Sequence, residues 1–227
     1  MASDPRGVRS RQLRLLVGPS RRTIRWIPLA VIAPLAGWAV YAATHASEPP
    51  ADGGLAAAGG LLATWAGSLL GDPSHALSAG VPTPLLFRRA IRLAIGLPPV
   101  AVVWGALLVW GAPGPFAATL TAMFAAQIAL AIGIAAAALR SVEPGREVLL
   151  AAAGLFVVFI ALPFVFEVDL TPIPSADTWW LHAGRWFVLA GAGLAAFLAA
   201  SRDVAAAPTG PLVARIVRPA PAAGTAR

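Results

Sequence analysis

Residues Leu93 to Leu139 read LAIGLPPVAVVWGALLVWGAPGPFAATLTAMFAAQIALAIGIAAAAL, 47 consecutive positions without a charged side chain. A bilayer core takes about 20 apolar residues per helix, so the stretch is too long for one span and suits two. Gly111-Ala112-Pro113-Gly114-Pro115 lies near its middle. Proline interrupts the helix there and glycine accepts the reversal, so this pentapeptide is the expected turn.

Working outward, four more charge-free runs appear: Trp26 to Ser47, Gly53 to Gly71, Val148 to Phe166 and Trp186 to Ser201. Only 12% of the 227 residues are charged and 58% are hydrophobic. Soluble domains carry about a quarter charged residues, so a soluble globular protein is excluded. The first run, Trp26 to Thr44, follows Arg21, Arg22 and Arg25. Thr44-His45-Ala46 loosely fits a cleavage site, but signal h-regions are typically about 7–15 residues, and this run is longer and contains Pro28 and Pro34. It reads as a retained anchor. Leu55 to Gly71 is mostly alanine and glycine and is the least apolar span. Val148 to Phe166 is the strongest, with twelve Leu, Ile, Val or Phe residues from Leu149 to Phe166. They favour insertion by roughly 4–7 kcal/mol together. The sixth span runs from about Thr178 to Ser201.

The expected fold is therefore an all-α integral membrane protein with six transmembrane helices. All 17 basic residues are arginines, and six spans put 16 of them on one side, with Arg185 alone on the other. The positive-inside rule then makes both termini cytoplasmic. Omitting the weak second span would scatter the arginines over both faces. The domains expected are a basic cytoplasmic segment (1–24), the six-helix domain (25–201) and a disordered, Ala- and Pro-rich cytoplasmic tail (202–227). Arg6 to Val17 reads either as an amphipathic helix on the inner leaflet or as an unstructured basic tail. Arginine-only basic usage with abundant alanine suggests a high-GC bacterial genome, and hence a multi-pass protein of the bacterial inner membrane.

Chemistry is sparse. Without cysteine there are no disulfides, thiolate metal sites or cysteine nucleophiles. Three histidines and ten carboxylates leave little for a catalytic centre, and no HExxH, P-loop or GxSxG motif occurs. The expectation is a protein that is not an enzyme and holds no cofactor or metal. A net charge of +7 does not imply nucleic acid, because no water-facing domain carries a basic groove. Inside the spans the polar residues are Thr64, Ser68, Thr119, Thr121 and Gln127. Gln127 reads as a contact in a substrate path or as an interhelical hydrogen bond worth about 0.6–2 kcal/mol. Arg185 would sit about 10 Å into a helix starting at Thr178, with His182 and Trp186 on its face. It would pair with Glu167 or Asp169 of the outer loop, line an outer vestibule, or snorkel to the headgroups. Gly67-xxx-Gly71 is a small-residue packing motif.

The loop between spans two and three carries start and stop signals for a short helix. Asp72 offers an N-cap, Pro73 a first helical position and Gly80 a stop; Thr83-Pro84 then starts a second helix through Arg88, Arg89 and Arg92 into span three. Such a loop is either a docking element or a connector.

This layout resembles type-2 ATP-binding-cassette exporter permeases: a basic N-terminal segment, six spans, a capped loop after span two and a proline-rich, aromatic outer segment after span five. The stretch Asp72 to Pro84, followed by Arg88-Arg89, is similar to the family's loop in which a short helix precedes a Thr-Pro or Ser-Pro turn. The resemblance implies that Asp72, Pro73, His75, Ala76, Leu77, Thr83, Pro84, Arg88 and Arg89 contact a separate cytoplasmic ATP-binding subunit. It also implies that two permease chains, identical or related, enclose the path, and a path poor in charge suits amphipathic or lipid-like cargo. The outer segment here is shorter than the family's, and Pro98-Pro99 has no counterpart in its pattern. The competing class is a non-transporting accessory or assembly protein of the membrane, which the lack of buried charge fits equally well.

Overall fold

The computed structural model describes residue 17 and residues 21–45, 51–71, 84–141, 146–161 and 179–202. Among these residues there is no strand. Six helices of ten residues or more carry them: α1 (Ile27–His45), α2 (Ala51–Ser68), α3 (Leu85–Gly111), α4 (Ala117–Ala138), α5 (Glu147–Phe156) and α6 (Trp179–Ala200). A 3-10 turn, Gly114–Phe116, leads into α4, and a π-helical segment, Val157–Ala161, prolongs α5. By length and composition α1, α3 and α4 are each able to cross a membrane.

The long apolar stretch folds as two helices with the break in the expected pentapeptide. Gly111 ends α3, and the left-handed backbone falls on Ala112 (φ 43°) and Gly114 (φ 57°). The Ala112 N–H closes the helix on the Leu108 carbonyl at 3.1 Å. Gly111 is needed for another reason: a Cβ there would touch Leu55 of α2 at 3.2 Å. At its other end α3 is capped by Pro84, whose carbonyl accepts the N–H groups of Phe87 (3.0 Å) and Arg88 (3.2 Å). The cap is thus Pro84 itself, one residue later than the sequence suggests, and the helix continues through Arg88, Arg89 and Arg92. It also continues through Pro98 and Pro99, which remove two N–H donors from its interior.

α4 is the centre of the molecule. Its alanines, glycines and leucines form no single apolar stripe, and a helix apolar all round is a buried one. Thirteen of its 22 residues are buried. It packs most extensively on α6, then on α2 and α5, while α1 lies against α2 and α3 touches both α1 and α2. One core cluster joins Val40, Leu62, Trp65, Trp104, Phe124 and Trp186; a second, rich in small residues, joins Ala131, Ala135, Ala151, Leu155 and Phe197.

The surface is inverted relative to a water-soluble protein. Ile27 (80% exposed), Val31, Leu35 and Trp38 form an outward stripe at helical spacing on α1. Val102 and Val109 of α3, Leu149 of α5, and Phe187 and Val188 of α6 are at least as open as Trp38. Arg89, Arg92, Gln127 and Glu147 are buried. Apolar belts of this extent in water would drive association, whereas in lipid they cost nothing.

Candidate functional site

The carbonyls of a helix's last turn have no donors within the helix and carry partial negative charge. At one end of the molecule these orphan carbonyls are met by arginines from other elements. Arg89 of α3 donates through Nη1 to the Ala200 carbonyl (3.0 Å) and to Ser201 Oγ (2.9 Å), both at the end of α6. Arg140, just past α4, donates through Nε to the same Ala200 carbonyl (3.1 Å) and through Nη2 to Ala199 (2.8 Å) and Arg202 (3.2 Å). Arg92 donates to the Gly71 carbonyl beyond α2 and to Thr23 Oγ1 (3.1 Å) before α1. Glu147, the buried first residue of α5, reaches the same point, since a Cβ on Gly71 would lie 2.5 Å from its Oε1. The starts of α1, α3 and α5 and the ends of α2, α4 and α6 therefore meet in one junction.

The arginines sit against a local rule. Cations disfavour the N-terminal turns of a helix, yet Arg88, Arg89 and Arg92 occupy the first two turns of α3. Their partners on other elements account for this: Arg89 serves the last carbonyl of α6, and Arg92 a carbonyl three residues past the end of α2. That violation was the signal in the sequence for Arg92, which the loop motif alone does not single out; Arg140, past the C-terminal end of α4, obeys the rule and gave no such signal.

Gln127 is the eleventh residue of α4's 22, at mid-helix, and is 3% exposed. Its Nε2 donates to the Ala56 carbonyl of α2 at 3.2 Å, which is the interhelical hydrogen bond that its sequence context allowed. Its Oε1 is buried without a hydrogen bond and lies over Gly59, where any Cβ would overlap it. Gly59 is thus the space that admits the amide, between Phe124 and Trp104, which stack at 4.3 Å. Gly59→Ala is expected to destabilise by about 1–3 kcal/mol through overpacking. Gln127→Ala should remove most of that penalty, because the clash is with the amide. A thermal-melt double-mutant cycle in detergent checks this, and additive effects of the two changes would disprove the pairing.

The hydroxyls inside the helices are used locally. Thr64 Oγ1 donates to Gly60 O (2.9 Å), Ser68 Oγ to Trp65 O (2.6 Å) and Thr121 Oγ1 to Ala117 O (2.7 Å). Such back-bonding satisfies a polar group without a partner helix. Gly67 of the small-residue motif packs against Ala131 and Ala135 of α4 and Ala151 of α5. Arg185 is exposed whereas Trp186, its neighbour, is buried, so the two do not share a face as expected. Trp186 stacks on Phe159 (5.5 Å, 7°), joining α6 to the π segment after α5. Beyond that stack an apolar groove of about 710 Å³ opens between α5 and α6, floored by Leu130 to Ala138 of α4 and by Ser141 just past its end. Asp72, Pro73, His75, Ala76, Leu77 and Thr83 of the loop, Glu167 and Asp169 of the outer segment, and Arg6 to Leu16 lie outside the described residues.

Compared with known protein families, with curated proteins and with solved structures, the chain matches none.

Proposed function

We propose that all six helices cross the bacterial inner membrane with both termini cytoplasmic, and that the chain is the membrane subunit of an ATP-driven transporter. The observation that carries this reading is the arginine junction. In the six-span arrangement every helix end in the junction is cytoplasmic, and it is where the arginines of the sequence concentrate. The loop from Asp72 to Thr83 feeds directly into α3. A soluble ATPase pulling on Ala76-Leu77 would move the start of α3, and Arg89 and Arg92 tie that turn to the ends of α6 and α2. A displacement at one loop would reach three helices without a flexible step, which is what coupling hydrolysis to a membrane path requires. The cargo class that suits a path poor in charge is amphipathic or lipid-like, enclosed between this chain and a second permease chain.

The accessory reading keeps one observation in its favour. The space between α2, α3 and α4 is filled by Leu62, Trp65, Trp104, Met123 and Phe124, and the Gln127 amide is engaged between helices. A path between two chains does not need this interior, so the packing leaves the transporter reading standing.

Two experiments decide. Alkaline phosphatase fused after Ser47 or within the segment 171–177 should be active, and fused within 74–79 or after Asp203 inactive; activity at the latter sites would overturn the topology. A mild-detergent pull-down from native membranes should recover a stoichiometric P-loop ATPase, and Ala76→Asp with Leu77→Asp should release it. Recovery of no ATPase, or association unchanged by the double substitution, would move the assignment to the accessory class.

A further inference from the structure

The groove between α5 and α6 has a shape that identifies its occupant. Its floor runs from Leu130 to Ala138 of α4, about 12 Å at 1.5 Å per residue, and on to Ser141 in the turn that follows. A hydrocarbon core is about 30 Å thick, so the groove is one leaflet deep. Its lining residues on the α5 side precede Phe159 and those on α6 follow Trp186, so it lies on the junction side of that stack and reaches Ser141 beside Arg140. A transmembrane partner helix needs the whole thickness, whereas an acyl chain needs one leaflet.

The walls suit a hydrocarbon chain. Ile134, Ala137, Leu150, Ala153, Ala192 and Ala196 line the groove, and Ser141 at its mouth is the one side chain there with a polar atom. The mouth is cationic. Arg140 adjoins Ser141 and reaches Ala199 and Ala200, one turn beyond Ala196. Arg146 is one turn before Leu150, and Arg202 follows α6 directly. All three are exposed. Glu147, the buried carboxylate nearby, faces Gly71 on the α2 side. In the six-span order this end bears sixteen arginines against five carboxylates (Asp4, Asp72, Glu143, Glu147 and Asp203).

We propose that the groove is a binding site for an anionic phospholipid of the leaflet facing the junction, one acyl chain lying on α4 and the phosphate held by Arg140, Arg146 and Arg202. Arginine binds phosphate through two parallel N–H donors, and a basic pocket between transmembrane helices is the setting in which such headgroups are held. The proposal uses the membrane embedding argued above and is independent of any ATPase partner. Embedding is read separately, by the fusion series, so failure of the site and failure of the topology give different results.

The test is native mass spectrometry of the full chain in detergent, titrated with phosphatidylglycerol or phosphatidylcholine of identical acyl chains. One phosphatidylglycerol per chain should be retained, at least about tenfold more than phosphatidylcholine. Ala153→Phe, on an exposed groove wall, should abolish retention of either lipid. Arg146→Gln with Arg202→Gln should bring phosphatidylglycerol down to the phosphatidylcholine level, and this variant carries the test if Ala153→Phe does not fold. Equal retention of the two lipids, or retention unaffected by both variants, would overturn the proposal. So would efficient disulfide crosslinking of Ala137→Cys between two chains in native membranes, which would give the groove to a second copy. The cysteine-free sequence makes that crosslink unambiguous.

Discussion

Gly193→Leu is expected to eliminate monodisperse folded protein, and Gly193→Ala to lower the melting temperature by about 6–12 °C, the equivalent of about 3 kcal/mol. The reason lies in the α4–α6 crossing. A Cβ on Gly193 would overlap the carbonyl of Ala129 and approach Leu130 N at 2.6 Å; one on Gly133 would overlap Gly193 O and approach its Cα at 2.9 Å. The obstacles are backbone atoms, which have no rotamer by which to yield, so the helices would have to separate along the most extensive contact in the molecule. Membrane helices gain from such close approach because lipid supplies no hydrophobic drive between them. Gly191, one position before Ala192 on the same helix, has nothing within 4 Å of its Cβ position. Gly191→Ala is therefore the matched control, expected to melt as the parent does. Fluorescence-detected size exclusion and thermal melts in detergent read both. Equal melting of Gly193→Ala and Gly191→Ala would refute the crossing.

Removing the arginines that share one carbonyl should cost more together than separately. Arg89→Met leaves Ala200 O with Arg140 alone, and Arg140→Met leaves it with Arg89 alone. Each loses charge-assisted hydrogen bonds and should cost about 1.5–3 kcal/mol. With both gone, the end of α6 loses its external donors and its ties to α3 and α4. The double variant is expected to exceed the sum by about 0.5–3 kcal/mol, read from melts of the four proteins in one detergent. Arg89→Lys should recover only part of the loss, since its ammonium ends a shorter side chain and is more strongly hydrated than the guanidinium whose Nη1 reaches both the carbonyl and Ser201 Oγ. Strict additivity would mean that the two arginines act on separate structures.

Much of this architecture was legible along the chain, because its cause is local. A charge-free stretch of 47 residues with a Gly/Pro pentapeptide at its centre has one low-energy answer in lipid, two helices and a turn, and α3 and α4 are that answer. The start of α3 was legible for the same reason, since proline fixes its own φ. The turn was less so: Ala112, not Gly111, takes the left-handed backbone, because Gly111 is occupied with Leu55 of a different helix. Likewise Trp186 was expected on one face with Arg185 and is instead buried against Phe159, while Tyr41 and Trp110, 6.4 Å apart, are an exposed aromatic pair.

By itself, then, the sequence determined where the apolar helices lie and, through its arginines, which helix ends belong together. Both follow from the transfer energy of single side chains, which needs no partner to be evaluated. The tertiary structure alone decided what those arginines bond to, which glycines are crossings and which are surface, and where an apolar groove is left between α5 and α6. These depend on which helix faces which. In a chain where alanine, glycine and leucine recur on every side of α4, no one-dimensional pattern specifies that choice; backbone-to-backbone fit at Gly133 and Gly193 does.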